Sequence, residues 1–120
     1  MFNPQDYSQL AKWCNHRDVV APPKDLLSSV GFIVDDVACG FIYLTNSSVA
    51  ILDCFISCPH SDKKIRDKAL NLITIELTAY AKNSGCRLIK CDSKIREVIN
   101  RAYDHGFKEI GQFTSLVKEI

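Results

Sequence analysis

The sequence lacks any apolar run close to the roughly 20 residues that span a bilayer, so it predicts no membrane-spanning helix. Its start, Met1 to Asp6, also lacks the basic-then-apolar order of a signal peptide. The formal net charge is only +1, and no basic stripe with interleaved aromatic residues is present. We therefore expect a cytoplasmic protein that binds neither membranes nor nucleic acid.

The six cysteines contain no C-x-x-C pair and no metal-finger spacing, and most of them lie in apolar, strand-like runs. We interpret them as reduced, buried thiols, and we predict no metal site. A zinc site formed by Cys54, Cys58 and His60 is the alternative. Two cysteines four residues apart on one strand are about 13 Å apart, which is too far for direct ligation of one ion.

A length of 120 residues and a hydrophobic fraction of 47% predict one globular domain over residues 1–120. The segment from Asp6 to His16 has the apolar spacing of a short amphipathic helix, and Pro22-Pro23 keeps the following loop extended. Three segments rich in Val, Ile, Phe and Tyr come next, with hairpin-type turns between them. The three predicted strands are Val30–Val34, Val37–Thr45 and Val49–Cys58.

The apolar period changes to that of a helix from Asp62 to about Asn83. Its predicted buried face comprises Ile65, Ala69, Leu72, Ile73, Leu77 and Tyr80. A short strand, Arg87–Cys91, a helix from Ser93 to Gly106, and one or two strand segments within Phe107–Ile120 complete the pattern. This order predicts an α/β (α+β) fold: a mixed β-sheet with an antiparallel N-terminal meander and helices on both faces.

Two local motifs carry a resemblance to a known family. The first is Ile56-Ser57-Cys58-Pro59, followed by a charged helix start and Ala69-Leu70. It resembles the strand-loop-helix unit that holds the coenzyme A pyrophosphate in the GNAT superfamily of acetyl-CoA-dependent N-acetyltransferases. Arg101-Ala102-Tyr103-Asp104-His105-Gly106-Phe107 resembles the late helix-to-strand motif of the same family. The resemblance implies a GNAT-like fold whose fourth and fifth strands, here about Val49–Cys58 and Arg87–Cys91, separate to form the cofactor slot.

A narrower similarity rests on Trp13, Pro22-Pro23, Gly31-Phe32-Ile33-Val34, Gly40-Phe41-Ile42-Tyr43-Leu44-Thr45 and Pro59. In these segments the chain resembles small GNAT-like proteins encoded by tailed bacteriophages. It implies a viral protein that acts in the cytoplasm of a bacterial host.

The resemblance implies acetyl-CoA as cofactor, held by the end of one strand and the start of the next helix. The residues at those positions are Ile56, Ser57, Cys58, Ser61, Lys63, Lys64, Ile65, Arg66 and Asp67. Free backbone N–H groups at a helix N-terminus bind phosphate, and glycines let the backbone approach closely. This stretch has no glycine, but its lysines and arginine exceed its aspartates by two from Asp62 to Lys68. A solvated charged turn is the alternative interpretation.

Acetyl transfer to an amine needs a base for the ammonium proton and an acid for the departing thiolate. The resemblance implies a strand carboxylate and a late-helix tyrosine in these roles, which points to Asp53 and Tyr103. The alternatives are an outward-facing aspartate and a tyrosine that only packs, because Tyr103 stands three residues before Gly106 whereas the family's tyrosine stands four before.

Two functions follow from the resemblance. The first is an N-acetyltransferase that transfers acetyl from acetyl-CoA to an amine of a small molecule or a protein. The second is a catalytically inactive GNAT-fold binding protein, such as a phage effector directed at the host or a virion component. The expected partners are an acyl-CoA and an amine acceptor in the first case and a host or virion protein in the second, with a homodimer as a further expectation.

Overall fold

A computed structural model of the chain describes residues 1 to 120. It contains three α-helices, four β-strands and two short 3-10 turns at Pro4–Asp6 and Lys24–Leu26. The helices are α1 (Tyr7–His16), α2 (Lys63–Asn83) and α3 (Arg96–Asp104). The strands are β1 (Gly31–Val34), β2 (Ala38–Leu44), β3 (Val49–Ser57) and β4 (Leu88–Lys90). All four strands lie within one residue of predicted segments.

The sheet has the order β1-β2-β3-β4. The first three strands form the predicted antiparallel meander, and β4 lies parallel to β3. A parallel neighbour requires a crossover connection, which α2 provides between β3 and β4. The predicted mixed sheet is therefore confirmed.

Helices cover both faces of the sheet, as predicted. On one face, α2 packs through Ala69, Leu70, Ile73, Leu77 and Ala81 against the inner side chains of β2 and β3. On the other face, a second cluster joins α1 to β2 through Leu10, Trp13, Cys14, Cys39 and Phe41. Trp13 is only 1% exposed, so it anchors α1 to the sheet. No helix is both long enough and apolar enough to cross a membrane.

The buried face of α2 is rotated from the predicted one. Ile65 and Leu72 are 53% and 46% exposed, whereas Leu70 and Thr74 are buried. Buried positions at steps of three and four residues, such as Leu70, Ile73, Thr74 and Leu77, form one stripe that excludes Leu72. The Thr74 hydroxyl donates to the Leu70 carbonyl, and this bond satisfies the polar atom within the core.

The predicted strand within Phe107–Ile120 is wrong, because no regular element follows α3. Residues 108–120 make no hydrogen bond to the rest of the chain, and a strand needs a neighbour to pair with. The apolar side chains there recur mostly at steps of three and four residues, so they do not line one face of a strand.

The helix predicted from Ser93 begins three residues later, at Arg96. The Ser93 hydroxyl accepts the Ile95 N–H at 3.1 Å, and Ile95 itself is extended. This local bond competes with the helix and delays its start.

Candidate active site

One side of β3 loses its partner strand where β4 ends. The two strands pair only from Val49 opposite Leu88 to Ile51 opposite Lys90. Beyond Ile51, β3 continues to Ser57 with β2 as its only neighbour. Residues Leu52 to Ser57 of β3 are here called the β3 edge. On the side away from β2, their backbone N–H and C=O groups pair with no strand.

A β-bulge interrupts the middle of β3. Phe41 pairs with Asp53 and Cys39 with Ile56, so Cys54 and Phe55 both lie opposite Gly40. Cys54 adopts a left-handed backbone with φ of 57°, which is unfavourable for a residue with a side chain. The Phe55 ring fills the space above Gly40, since a Cβ at Gly40 would lie 2.8 Å from that ring. A side chain at Gly40 would therefore displace the Phe55 ring.

Asp53 holds the bulge through its carboxylate. Its Oδ1 accepts the backbone N–H of Cys54 at 2.8 Å. Because Asp53 pairs with Phe41, whose side chain is buried beneath α1, Asp53 extends from the α1 side of the sheet. The residue is exposed, as expected for the outward-facing aspartate that alternation along a strand allows. Its second oxygen, Oδ2, makes no hydrogen bond within the chain.

Tyr43 and Cys54 meet on the same side of the sheet. The Tyr43 hydroxyl lies 3.5 Å from Cys54 Sγ and donates to the Leu26 carbonyl at 3.1 Å. Burial raises the pKa of the Tyr43 hydroxyl, and its hydrogen bond with Cys54 raises that pKa further. Burial also raises the pKa of the Cys54 thiol. Both groups therefore favour their neutral forms, and Cys54 packs as a neutral thiol beside the α1 cluster.

The loop that leads from β3 into α2 is held by its own polar groups. The Ser61 N–H and hydroxyl both donate to the Cys58 carbonyl, which closes a tight turn. Asp62 caps α2, since its Oδ1 accepts the Lys64 N–H at 2.8 Å. The backbone N–H groups of Lys63 and Ile65 have no partner within the chain. The first turn of α2 therefore presents two free amides beside one acidic cap.

The predicted cofactor residues divide into three groups. Ile56 and Cys58 pack beside the α1 cluster, whereas Lys63, Lys64 and Ile65 are exposed at the start of α2. The remaining four form polar contacts within the protein: Ser57 with Arg17, Ser61 with Cys58, Arg66 with the loop, and Asp67 with Arg101.

Arg66 and Asp67 stabilise the structure around the loop. Arg66 Nη1 donates to the Ser61 carbonyl at 2.9 Å and reaches the Pro59 carbonyl at 3.4 Å. Asp67 Oδ1 accepts a hydrogen bond from Arg101 of α3 at 3.0 Å. Of the basic side chains at the predicted phosphate site, Lys63 and Lys64 therefore remain free to meet a ligand.

Two residues at the end of α1 reach the same region, and the sequence pattern gave no sign of them. Arg17 donates from Nε to the Ser57 carbonyl at 2.8 Å and from Nη2 to Ser57 Oγ at 2.9 Å. The His16 ring meets the His60 ring edge to face, with centroids 5.2 Å apart. These contacts fix the end of β3 and the following turn against α1. They join residues about 40 positions apart, and no local pattern encodes such a pairing.

Tyr103 lies on α3, which is attached to α2 by two polar contacts. Arg101 pairs with Asp67, and His105 Nε2 donates to Asn71 Oδ1 at 2.8 Å. Tyr103 is about 200° around the helix from Arg101, so it faces away from α2. It is 44% exposed. No hydrogen bond links the two predicted catalytic side chains, and the Asp53 carboxylate accepts only the Cys54 N–H.

No group of three His, Cys, Asp or Glu side chains lies close enough to hold a metal ion. All six cysteines are free thiols.

No protein-family model matches the sequence, and no curated protein is similar to it at a significant level. Solved structures are similar to it across the whole chain. One is the crystal structure of a probable acetyltransferase, with a TM-score of 0.60 and 12% identity over 99% of this chain and 95% of that one.

Another is the apo aminoglycoside antibiotic 6′-N-acetyltransferase AAC(6′)-IG from Acinetobacter haemolyticus. Its TM-score is 0.58, with 16% identity over 99% of this chain and 96% of that one. The chain has a GNAT-like fold. At these identities the likeness establishes the architecture and not the chemistry.

Proposed function

We propose that this GNAT-like protein is an acyltransferase that transfers the acetyl group of acetyl-CoA to an amine. The observation that carries the proposal is the open β3 edge beside the free first-turn amides of α2. One surface thereby combines unpaired backbone groups for an extended, amide-bearing chain with N–H groups for phosphate. Coenzyme A has both chemical features.

The residues present fit such a ligand. The pantetheine arm of coenzyme A contains amides, and the N–H and C=O groups of the β3 edge would pair with them as a strand would. The amides of Lys63 and Ile65 and the side chains of Lys63 and Lys64 would hold the phosphates. The Asp62 carboxylate opposes them, so we expect weak binding. The thioester supplies an activated acetyl group, and the protein supplies orientation and proton transfer.

Asp53 is the proposed base. Its Oδ1 is engaged by the Cys54 N–H, which fixes the carboxylate at the bulge, while Oδ2 has no partner in the chain and is available for the ammonium proton of the acceptor. Tyr103 is the proposed acid for the departing thiolate. Its outward orientation on α3 means that this role requires the ligand to approach α3 from the side opposite α2.

Acetyl-CoA binding to the purified chain tests the proposal. We expect saturating acetyl-CoA to raise the melting temperature, because a ligand that binds only the folded state stabilises it. Lys64→Ala should weaken binding by roughly tenfold through the loss of one charged phosphate contact. Lys82→Ala is the matched control, since Lys82 is exposed in the last turn of the same helix. No thermal shift and no calorimetric heat would contradict the proposal, and equal losses in both variants would remove Lys64 from the site.

A second function, a binding protein without transferase activity, has its own support. The phosphate end of the site carries an acidic cap at Asp62, and the Arg66 guanidinium is directed to carbonyl groups of its own loop. Neither feature favours an anion. Two results together would support this function. The purified chain would bind no acyl-CoA and acetylate none of a broad panel of amines, and it would bind a host or virion protein.

A further inference from the structure

The C-terminal segment from Ile110 to Ile120 is apolar and unpartnered. Its five large apolar residues are 74% to 108% exposed: Ile110, Phe113, Leu116, Val117 and Ile120. Four of them, all except Leu116, recur at steps of three, four and three residues, which is the spacing of one face of a helix. We name this segment the C-terminal arm. Its exposed apolar area is unusual, because single chains rarely leave such continuous stretches in water.

A second apolar surface without a partner runs along the outside of α2. Ile65, Leu72 and Ile75 are 53%, 46% and 55% exposed, and their spacing places them on one stripe of the helix. Beside this stripe, the β1–β2 hairpin contributes Val34 and Val37 to a cavity of about 340 Å³, which Ile65 and Leu72 also line. We name this surface the α2 groove. It has the form that an amphipathic helix occupies.

We propose that the C-terminal arm of one chain binds the α2 groove of a second copy, and that the reciprocal contact makes a two-fold symmetric dimer. The arm forms an amphipathic helix as it docks, with Ile110, Phe113 and Val117 in the groove. A helix of this kind does not form alone, because eleven residues are too few for a stable isolated helix in water.

The area of the arm supports a second copy as the partner. Each chain contributes one arm and one groove, so Ile110, Phe113 and Val117 and the three exposed apolar residues of the groove carry on the order of 600 Å² in each chain. The two reciprocal contacts together bury about 1,200 Å², which is the lower end of the range for a standard interface.

Charge also permits self-association. The arm and its flank contain two lysines and two glutamates, Lys108, Glu109, Lys118 and Glu119, and the groove contains Lys68 and Asp35. Opposite charges are available on both surfaces, and the net charge of +1 gives two copies little reason to repel.

Sedimentation equilibrium of the full chain over a dilution series tests the proposal. We expect a reversible dimer, and we expect Val117→Asp to raise its dissociation constant at least about a hundredfold. The substitution occurs twice in the symmetric interface and places a charge in an apolar contact each time. Val117 is 99% exposed within one chain, so the folded monomer should keep its circular dichroism. Val20→Asp, at a residue that is 91% exposed on a different surface, should leave the dimer unchanged.

Mixing two defective chains distinguishes the reciprocal dimer from an arm that folds back on its own chain. Val117→Asp damages the arm, and Leu72→Asp damages the groove. Each variant alone should be monomeric, but the mixture retains one intact arm–groove contact and should form a heterodimer. A monomeric wild type, a dimer that survives Val117→Asp, or a mixture without heterodimer would overturn the proposal. None of these outcomes depends on acetyl-CoA binding.

Discussion

The two halves of β3 differ in ways that decide where chemistry can occur. The first half, Val49 to Ile51, pairs with β2 on one side and β4 on the other. The second half, Leu52 to Ser57, pairs with β2 alone, contains the bulge at Cys54, and leads into the loop before α2. The first half is part of the scaffold, and the second half exposes backbone groups that a ligand can use.

The difference arises from the length of β4 and not from the composition of β3. Both halves are rich in apolar residues, but β4 ends at Lys90 after three residues. A strand without a neighbour on one side is an edge strand. Natural edge strands often contain bulges or charged side chains, which prevent pairing with another chain. The bulge at Cys54 and the carboxylate of Asp53 are such modifications, and both are available to a function.

The largest expected effect is a loss of catalysis when Asp53, in the second half of β3, is replaced. Asp53→Asn keeps an oxygen that can accept the Cys54 N–H but cannot take a proton. We expect kcat and kcat/KM to fall by about 10²- to 10⁴-fold with unchanged acetyl-CoA affinity and stability. Asp53→Ala should lose the same activity and also about 1 kcal/mol of stability, because the amide loses its partner. Full activity of Asp53→Asn would limit Asp53 to holding the bulge.

A pair of alanine substitutions at the junction of the two halves should show that the face of β3 beneath α2 contributes more to stability than the opposite face. Leu52 is 7% exposed beneath α2, whereas its neighbour Ile51 is 39% exposed on the other face. We expect Leu52→Ala to cost about 3 kcal/mol and Ile51→Ala about 1 kcal/mol in chemical denaturation. Equal costs would mean that burial beneath α2 does not decide how much each side chain stabilises β3.

Gly40→Ala should destabilise the second half alone. The added Cβ would lie 2.8 Å from the Phe55 ring, so the ring must move and the bulge must shift, at a cost of about 2 kcal/mol. In a Phe55→Ala background the same substitution should cost almost nothing. A double-mutant cycle measures this coupling, and additive costs would show that the Phe55 ring is not the obstacle.

The smallest expected effect is a loss of stability in alkali that arises beside the second half. Cys39 pairs with Ile56, and burial raises the pKa of its thiol from 9.0 to about 12. The unfolded thiol loses its proton first, so stability is complete below pH 9 and falls as the pH rises towards 12. Urea unfolding across this range should show the decline, and Cys39→Ala should reduce its slope. An unchanged slope would assign the decline to other groups.

The sequence was sufficient for the scaffold and insufficient for the details of the site. Alternating apolar residues predicted the meander, and the period of α2 with Asp62 at its start predicted the crossover helix. The rotated face of α2 was missed because Leu70 and Thr74 are buried by the sheet, while Leu72 is directed to the α2 groove. Helical periodicity identifies a stripe, but the neighbouring element decides which stripe is covered.

Long-range contacts explain the remaining misses. No glycine occurs at the bulge itself in β3. The glycine that makes room for the bulge, Gly40, lies in the neighbouring strand β2. The Arg17–Ser57 contact spans 40 residues. The apolar content of Phe107–Ile120 suggested a strand, but within one chain the segment has no neighbour with which to pair. A pattern in the sequence reports local preference, and these features depend on residues that are remote in the chain.

The weak attachment of α3 determines which part of the molecule unfolds first. The helix has no fully buried residue, and two contacts, Arg101 with Asp67 and His105 with Asn71, join it to α2. A segment with little buried apolar area opens at a lower free energy than the core that supports it. The backbone amides of α3 should therefore exchange with solvent deuterium through local opening. The amides of α2 and β2 should exchange only through global unfolding. Tyr103 belongs to the helix that opens first.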